Sequence, residues 1–311
     1  MVVALGGNAI QRPDDDSVAS DFAHTAETAE QLSSLLASSG NRLVVTHGNG
    51  PQVGNHLLRS QLGHDHGDLP LLPLDVCVAD TQGGMGYMLQ QTLTNAFSKE
   101  HLPAVVASVV TQIVVDREDP AFQNPTKPVG ETIPDERANE FRERGWTLAP
   151  DKRRGGWRRV VASPDPLEIV EAEAIRSLVD SGVVVVAAGG GGVPVVIDDE
   201  GHLSGIAAVI DKDLASALLA EDLRAHALVI LTDVDRIYRA YGTPEQRPLE
   251  ELTVDEAHEL LADGEFPAGS MGPKVEALCR FVAATGGLGV VTSIDQCDRA
   301  LSGEVGTRVV P

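Results

Sequence analysis

The sequence predicts an α/β fold in which helices cover both faces of a parallel sheet. Short, β-branched apolar segments alternate with longer segments whose apolar residues recur at helical spacing. Glycine-rich turns directly follow several of the apolar segments, as at residues 5–8 and 46–51. A strand that ends in a tight turn and leads into a helix is the repeating unit of parallel sheets.

The predicted elements alternate along most of the chain. Six segments have the pattern of buried strands: residues 2–5, 43–46, 104–110, 183–188, 227–231 and 288–291. Five segments have helical spacing: residues 20–38, 80–97, 169–179, 213–223 and 274–284. Gly40 is a stop signal for the first helix, and Pro273 suits the first turn of the last one. We expect residues 288–291 to close the sheet.

Residues 116–166 differ in character from the rest of the chain. They contain four prolines between positions 120 and 134 and a charged patch at residues 151–154. This segment is either a long loop or a small protruding subdomain. The two tryptophans, Trp146 and Trp157, together with nearby valines favour the subdomain, because a structureless loop of this length is uncommon in a compact domain.

The composition limits the classes of partner. With 311 residues and 42% apolar content, the chain is long enough for a large core. Its formal net charge of −22 argues against a nucleic-acid or anionic-membrane partner, since either would need a basic surface. An anionic substrate would therefore depend on a few local positive groups, because distant charges are screened over about 8 Å.

The cysteines and the apolar segments predict a cytoplasmic protein. Cys77, Cys279 and Cys297 are odd in number and widely spaced, which argues against a disulfide framework or a structural zinc site. The longest apolar stretch, residues 183–188, is too short to span a bilayer. The first residues lack the basic region of a signal peptide.

The lysines are the first indication of function. The chain has only five, whereas arginine supplies the other 19 of its 24 basic residues. Three lysines lie in motifs rich in glycine, proline or aspartate: Lys127, Lys212 and Lys274. An ammonium is a compact point charge that suits a phosphate oxygen, whereas a guanidinium is a planar fork. The three lysines therefore suggest phosphate chemistry.

Two glycine turns are candidates for binding an anion. Gly6, Gly7 and Asn8 follow the first predicted strand, and residues 47–51 (His-Gly-Asn-Gly-Pro) follow the second. Glycine allows backbone N–H groups to approach a ligand closely, and the carboxyl ends of parallel strands lie at one edge of a sheet. A single turn of this kind favours a purely structural role, and a structural role is also favoured for His47 over that of an acid or base.

Common nucleotide-binding motifs are not matched. Residues 189–192 are four glycines, but a proline and the strand-like residues 195–197 follow them instead of a helix. They therefore do not form a dinucleotide fingerprint. Residues 269–274 lack the spacing of a Walker loop, and Val275 stands where that loop has Ser or Thr.

Three further motifs remain ambiguous on spacing alone. His64 and His66 could imitate a metal site, but without a third ligand motif an exposed loop is favoured. In the segment Asp211-Lys212-Asp213, either aspartate could cap a helix, or Lys212 could face a phosphoryl group with Asp213 holding neighbouring lysines. Residues 232–235 are either a polar turn or part of a ribose and phosphate site.

Longer motifs resemble the carbamate kinases of the amino acid kinase superfamily. Residues 2–9, 46–54 and 81–91 match that family closely, and shorter matches follow at residues 119–130, 209–214, 231–238 and 268–280. The matches run in the family's order over nearly the whole chain. One departure is Gly84, where a large apolar residue is expected. The resemblance implies an αβα sandwich with a mainly parallel central sheet of about eight strands, a small protruding subdomain, and a homodimer.

The resemblance also implies how the chain is organised. It describes a single domain, residues 1–311, with a carbamate- or acceptor-binding half at 1–195 and a nucleotide-binding half at 196–311. The protruding segment at about 116–166 is the expected lid over the site. Relatives such as acetylglutamate kinase carry a lysine just before the first glycine turn, where this chain has Val3-Ala4-Leu5. In carbamate kinases that charge comes from the subdomain, and Lys127 stands at the matching place.

The implied reaction is reversible phosphoryl transfer between carbamoyl phosphate and ADP, which gives ATP and carbamate. The implied catalytic residues are Lys127, Lys212, Asp213 and Lys274. The implied substrate cradle is formed by Gly6, Gly7, Asn8, Gly48, Asn49 and Gly50. The implied nucleotide-binding residues are Thr232, Asp233, Val234, Tyr238, Ser270 and Met271. Mg²⁺ is expected to arrive on the nucleotide phosphates, with no protein ligand of its own.

Two alternatives to this reaction stay open. Another kinase of the same superfamily could act on a carboxylate or a nucleotide, as acetylglutamate kinase does. A nucleotide-binding regulator without turnover is a second alternative, although a sensor does not need three lysines around a transferring phosphoryl group. A biological role in arginine breakdown by the deiminase route fits the reaction in the direction of ATP synthesis.

Overall fold

A computed structural model of the chain describes residues 1–10, 17–40, 42–151, 155–267 and 269–311. Its helices are α1 (Val18–Ser39), α2 (Gly50–Gly67), α3 (Leu74–Lys99), α4 (Ala138–Glu143), α5 (Ala172–Asp180), α6 (Lys212–Asp222), α7 (Val254–Ala262), α8 (Met271–Thr285) and α9 (Cys297–Leu301). No described helix combines the length and the apolar character that a bilayer crossing requires.

The strands of the main sheet are β1 (Val2–Leu5), β2 (Val44–His47), β3 (Val105–Ser108), β9 (Val183–Val186), β12 (Ala227–Thr232), β15 (Glu251–Thr253), β16 (Leu288–Ser293) and β17 (Thr307–Val310). The remaining strands are β4 (Gln112–Val115), β5 (Lys127–Ile133), β6 (Leu148–Pro150), β7 (Trp157–Val161), β8 (Pro166–Ile169), β10 (Val193–Ile197), β11 (Leu203–Gly205), β13 (Ile237–Arg239) and β14 (Arg247–Leu249).

The main sheet has eight strands in the order β15-β17-β16-β12-β1-β2-β9-β3. The six strands from β16 to β3 are mutually parallel, whereas β17 pairs antiparallel with β16 and parallel with β15. The mainly parallel sheet is thereby confirmed. The expectation that residues 288–291 close the sheet is wrong, because β17 and β15 extend it beyond β16. These two strands are only four and three residues long, so their sequence pattern is weak.

Helices cover both faces of the main sheet. In β1, Val2 and Ala4 point into one core with α5, α6, α7 and α8, while Val3 and Leu5 point into a second core with α1, α3 and α9. All four residues are fully buried. A strand that is apolar on both faces is what a doubly covered parallel sheet requires. The αβα sandwich predicted from the sequence is confirmed.

Residues 116–166 form a small folded unit beside the sandwich. Strands β5, β7 and β6 make a three-stranded antiparallel sheet. The guanidinium of Arg142 in α4 lies over the ring of Trp157 in β7, and Phe141 of α4 packs against Trp146 in the following loop. Val129 and Val161 of this small sheet pack with residues of α2 and α3 such as Val53 and Cys77. We call this unit the small subdomain. Residues 152–154 of the predicted charged patch lie outside the described residues, and a lid function stays a prediction.

Helix α2 is the main element that sequence patterning misses. The turn at residues 47–51 leads directly into it, and it extends through His64 and His66, which are exposed near its carboxyl end. The expected exposure of these histidines is therefore confirmed, but the expectation of a loop is wrong, because both lie in a helix. Only Val53 and Leu57 of α2 are buried, so the helix shows no long apolar stripe.

Candidate functional site

The candidate site lies where parallel strands of the main sheet end. Leu5, the last residue of β1, is in register with His47 of β2 and with Leu231 of β12. The turns that follow these strands therefore meet at one edge of the sheet. This is the edge at which α/β folds bind their ligands.

The first glycine turn is held tightly against β12. The Gly6 N–H donates to the Leu231 carbonyl oxygen at 3.1 Å, and a Cβ at Gly6 would lie 2.9 Å from that same oxygen. Gly7 begins a 3₁₀ turn (Gly7–Ala9), and a Cβ there would meet no atom within 4 Å. Gly6 is thus required by packing, whereas Gly7 presents open backbone. The side chain of Asn8 lies outside the described part of the structure.

The second glycine turn borders one of the three lysines. A Cβ at Gly48 would lie 3.3 Å from Cδ of Lys212, so the glycine lets this side chain pass close to the backbone. Asn49 immediately precedes α2 and is buried, and its side chain does not cap the helix but donates from Nδ2 to the Thr81 Oγ1 at 2.9 Å. Gly50 starts the helix and has open space around its Cβ position. The side-chain amide of Asn49 thus already donates one hydrogen bond within the protein.

The first two of the four glycines at residues 189–192 make room for the second turn. A Cβ at Gly189 would lie 2.3 Å from Nε2 of His47, and one at Gly190 would lie 2.1 Å from Nδ2 of Asn49. Gly190 also has a φ of +66°, a left-handed conformation that favours glycine. The sequence motif is unrelated to dinucleotide binding. Its role is to let the His47 and Asn49 side chains pack under the site.

The three lysines predicted to act together are bound to two carboxylates. Lys212 and Lys274 both donate to Asp213: Lys212 to Oδ1, and Lys274 to Oδ2 at 2.9 Å. Lys127 reaches across from the small subdomain and donates to Oδ2 of Asp211 at 2.5 Å. These lysines come from β5, the first residue of α6 and the first turn of α8. The fold thus brings together lysines that are up to 147 positions apart in the sequence.

The lysine cluster is shielded from solvent. Side-chain exposure is 13% for Lys212, 15% for Lys274 and 3% for Asp213. Lys127 is more open, at 30%. Charged groups in such surroundings interact more strongly than they would in water, because less solvent screens them.

Burial and mutual attraction shift the pKa values in the cluster. Burial lowers the pKa of Lys212, and the neighbouring Lys274 adds to this effect against the attraction of Asp213. Burial also acts on Lys274, but Asp213, Asp211 and Asp233 together outweigh it and raise its pKa. The pKa of Asp213 is lowered, because the two lysines outweigh the burial of its carboxylate. Asp213 is therefore ionised and holds both lysines.

His47 is unsuited to act as a base for this site. The pKa of His47 is lowered from 6.5 to about 4, mainly by burial and to a smaller extent by the nearby positive charge of Lys212. Its Nδ1 is 3.0 Å from the Gly48 carbonyl oxygen, to which a neutral ring donates. The buried ring supports the turn, which agrees with the structural role favoured for His47 from the sequence.

Most of the predicted nucleotide-binding residues lie at the end of β12, in the turn that follows it and at the start of α8. The Thr232 hydroxyl donates to Oδ1 of Asp233 at 3.1 Å, and Asp233 lies close enough to Lys274 to raise its pKa. Val234 is half-buried in the same turn. Ser270 and Met271 lie at the amino end of α8, one turn before Lys274. These residues therefore border the lysine cluster.

Tyr238 is also a predicted nucleotide-binding residue, and its contacts are with Asp235 and Tyr241. Its hydroxyl donates to Oδ1 of Asp235 at 2.7 Å, and this bond lowers the pKa of that carboxyl. Its ring lies 6.0 Å from that of Tyr241. The Tyr238–Asp235 hydrogen bond joins the turn after β12 to β13.

Two functional features escape the sequence reading. For Asp211 the sequence predicts only a possible helix cap, whereas this residue both caps α6 and binds Lys127. The sequence also does not predict that Gly189 and Gly190 make room for side chains of the second turn. Neither has a local sequence signal, because the partners lie far away along the chain.

The histidine pair near the end of α2 forms no metal site within the described residues. His64 Nδ1 is bonded to the Leu69 carbonyl oxygen instead. The cluster with metal-ligand spacing in the described part of the chain is Asp198, Glu200 and His202, which is fully exposed. There, Oδ1 of Asp198 accepts the backbone N–H groups of the other two, so the cluster is a surface turn.

Known proteins share this architecture over its whole length. The model of the amino acid kinase family matches residues 1–292. The carbamate kinase of Pyrococcus furiosus is 46% identical over an alignment that covers 100% of this chain and 99% of that protein. The carbamate kinase of Thermococcus kodakarensis is 47% identical, with 100% and 98% covered.

Solved structures agree with these sequence relationships. The structure of carbamate kinase from Giardia lamblia bound to AMP-PNP superposes with a TM-score of 0.90 and 42% identity, covering 99% of this chain and 97% of that one. The fold, the family model and relatives above 40% identity all indicate the same group. The chain belongs to the amino acid kinase family, among the carbamate kinases, and is therefore a kinase, a phosphotransferase.

Proposed function

We propose that the chain catalyses reversible phosphoryl transfer between carbamoyl phosphate and ADP, giving ATP and carbamate. The observation that carries this proposal is the cluster of three ammonium groups on two carboxylates at the carboxyl edge of the sheet. An acidic protein must supply positive charge locally to receive two anionic substrates, and this cluster does so. The acceptor, carbamate, is that of the carbamate kinases to which the chain is similar.

The chemistry of the acceptor explains which groups the site contains. Carbamate is already an oxyanion, so its attack on the γ-phosphorus needs no general base. The neutral, buried His47 is consistent with this requirement. The site has to align two anions and neutralise charge on the transferring phosphoryl group.

Each lysine has a distinct place in the proposed site. Lys212 and Lys274 stabilise the phosphoryl group from the body of the domain, and Asp213 orients both. Lys127 approaches from the small subdomain, which acts as the lid. Preorganised charges of this kind usually contribute the largest share of rate enhancement, because they need no reorganisation during the reaction.

The turns around the cluster provide the binding surfaces. We assign carbamate and the phosphoryl oxygens to the backbone at residues 6–8 and 48–50, where Gly7 and Gly50 leave open space. We assign ADP to residues 232–234, Tyr238, Ser270 and Met271. In this arrangement the acceptor half is residues 1–195 and the nucleotide half is residues 196–311.

Mg²⁺ enters the proposal as a companion of the nucleotide. Asp213 uses both carboxylate oxygens for lysines, and Asp211 uses one for Lys127 and one for a backbone N–H. These carboxylates are thus already engaged, which fits a metal held mainly by nucleotide phosphates. When bound, the ion would neutralise phosphate charge that the three lysines leave uncompensated.

A homodimer is the second part of the proposal. Strand β3 is an edge of the main sheet, and Val105 on it is 66% exposed. Tyr87 of α3 and Val110 beside it are also exposed. An apolar sheet edge of this kind favours association, and we propose a second copy of the chain as its occupant.

Light scattering after size-exclusion chromatography tests the dimer. We expect a dimer for the unaltered chain and a monomer, or a concentration-dependent mixture, for Val105→Lys. Leu167→Lys is the matched control, because Leu167 is 56% exposed on β8, which belongs to the separate four-stranded sheet. A monomeric unaltered chain at micromolar concentration would refute this part of the proposal.

The proposed setting is the cytoplasm and the breakdown of arginine by the deiminase route. In that setting carbamoyl phosphate is a product to be consumed, so the reaction runs toward ATP. Deleting the gene would then cause carbamoyl phosphate to accumulate in cells fed with arginine. Unchanged levels would argue for a different setting.

The direct test of the activity is ATP formation by the purified chain from carbamoyl phosphate and Mg-ADP. Acetyl phosphate with ADP, and ATP with acetylglutamate or a nucleoside monophosphate, provide the comparison reactions. We expect turnover with carbamoyl phosphate far above the others. Preference for another acceptor would favour a different kinase of the family, and nucleotide binding without any turnover would favour a regulator.

A further inference from the structure

Asp211 joins the small subdomain to the body of the domain through one carboxylate. Its Oδ2 accepts from Nζ of Lys127 at 2.5 Å, across 84 positions of sequence. Its Oδ1 accepts from the backbone N–H of Asp213 at 2.9 Å, which caps the amino end of α6. One oxygen is therefore fixed by the helix, and the other points to the lysine of the subdomain.

The hydrogen bond to the end of α6 fixes the orientation of the Asp211 carboxylate. A free aspartate side chain can rotate, but the bond from Oδ1 to the helix restricts it. The side chain of Asp211 is only 14% exposed, compared with 30% for Lys127. The carboxylate thus forms a rigid acceptor at a defined point, whereas the lysine side chain is long and flexible.

The carboxylates of Asp211 and Asp213 are two residues apart and together hold the cluster. Asp213 binds Lys212 and Lys274, and Asp211 binds Lys127. Three positive charges on two negative ones leave an excess of one positive charge. A phosphoryl group that enters the cluster would meet all three lysines already in place.

We propose that Asp211 is a positioning residue, which sets the ammonium group of Lys127 beside the other two lysines when the small subdomain closes. This inference rests on the proposed function and extends it. Asp211 touches no reacting atom in this scheme. It acts by determining where Lys127 lies before the substrates bind.

A capping role alone does not require an acidic residue at this position. Asn, Ser and Thr cap helices about as well as Asp does. The carboxylate differs from them in its charge, and the charge is used by Lys127. Asp211→Asn therefore separates the two roles, because it keeps the Oδ1 acceptor for the cap and removes the negative charge at Oδ2.

The first experiment is a double-mutant cycle with Asp211→Asn and Lys127→Met. We expect Asp211→Asn to lower kcat about tenfold, within the range of coupling between contacting charged residues. In the Lys127→Met background, the same change should have almost no further effect. The proposal would be overturned if Asp211→Asn lowered kcat by the same factor in both backgrounds, or if it raised kcat.

Asp116→Asn is the matched control for this cycle. Oδ1 of Asp116 accepts the backbone N–H of Glu118 at 2.9 Å, two residues along the chain, as Asp211 does with Asp213. Asp116 is exposed, and no described lysine is bound to it. We expect kcat to stay within twofold of the unaltered chain.

The second experiment measures the chemical reactivity of the lysine and needs no turnover. Brief acetylation with isotopically labelled acetic anhydride, followed by peptide mass spectrometry, gives a rate for each lysine. We expect Asp211→Asn to raise the rate at Lys127 at least threefold, because the ammonium group loses its partner. Lys99, which is bound to Glu30 at 2.7 Å on the surface, is the internal reference.

The two experiments separate the possible failures. If the unaltered chain makes no ATP from carbamoyl phosphate and Mg-ADP, the proposed function fails, while acetylation still tests the contact. If the chain is active but the acetylation of Lys127 is unchanged by Asp211→Asn, the positioning role fails alone.

Discussion

Helix α2 and strand β5 touch backbone to backbone where Gly54 meets Gly130. A Cβ at Gly54 would lie 1.9 Å from Cα of Gly130, and Gly130 has a φ of +71°. Neither position has room for a side chain in this arrangement. The contact lies three residues after Lys127 and therefore fixes the distance of the lysine-bearing strand from the body of the domain.

Replacing Gly54 by alanine should push the small subdomain away from α2. The methyl group overlaps backbone rather than a flexible side chain, so β5 has to move as a whole. We expect a loss of stability of about 1–3 kcal/mol, as for other overpacked sites. We also expect kcat to fall at least tenfold, because Lys127 moves with the strand. Thermal unfolding and steady-state kinetics measure the two effects.

Gly84→Ala is the control for the same substitution. Gly84 lies inside α3, is exposed, and would have no atom within 4 Å of its new Cβ. Alanine should stabilise this helix by roughly 0.5–1 kcal/mol, because glycine is a poor helix former. If Gly54→Ala behaves like Gly84→Ala in both measurements, the close contact is not a constraint on the active enzyme.

Lys212→Ala tests the central positive charge of the site. This lysine is buried, bound to Asp213, and passes beside the Gly48 backbone. We expect kcat to fall by roughly 10²–10³, the cost of losing one preorganised charge-stabilising donor. Lys99→Ala removes an exposed lysine outside the cluster and should leave kcat unchanged. A kcat for Lys212→Ala within threefold of the unaltered enzyme would contradict its role.

Lys127→Arg tests whether the site needs a point charge. Arginine keeps the positive charge but replaces a compact ammonium by a larger planar group with fixed donor directions. The position opposite Asp211 is set by the helix cap and offers one oxygen, so we expect at least a tenfold loss in kcat. Lys99→Arg, on the surface, should be neutral. Full activity of Lys127→Arg would mean that charge alone is sufficient there.

The hydrophobic pattern predicts the central elements well. The strands at the middle of the sheet, β1, β2, β9 and β12, are almost entirely buried, and their sequences are mainly apolar, with polar residues only at the carboxyl ends of β2 and β12. Their positions follow from the pattern to within about two residues. The sheet edge at which ligands bind follows from the turns after these strands.

Elements that depend on distant contacts are not predictable in this way. Helix α2 has a polar surface and begins with glycine and proline, so its short buried face, Val53 and Leu57, gives no periodic signal. The double use of Asp211 depends on a lysine 84 positions earlier. Gly189 and Gly190 are needed because side chains of β2 and its following turn pack on them.

His47 links the packing of the site to pH. Its ring is fully buried under the turn and lies against Gly189, and burial lowers its pKa from 6.5 to about 4. Between these two pH values the unfolded chain binds a proton at this residue that the folded chain does not. Stability should therefore rise with pH from about 4 to 6.5 and be fully present above that range.

The corresponding experiment compares the free energy of unfolding of the unaltered chain and of His47→Gln between pH 4 and pH 8. The glutamine cannot titrate, so the difference between the two curves isolates the contribution of His47. We expect this difference to change by about 3 kcal/mol from pH 7 to pH 4, the unaltered chain losing more stability in acid. Parallel curves for His47→Gln and the unaltered chain would mean that His47 titrates in the folded protein much as it does in water.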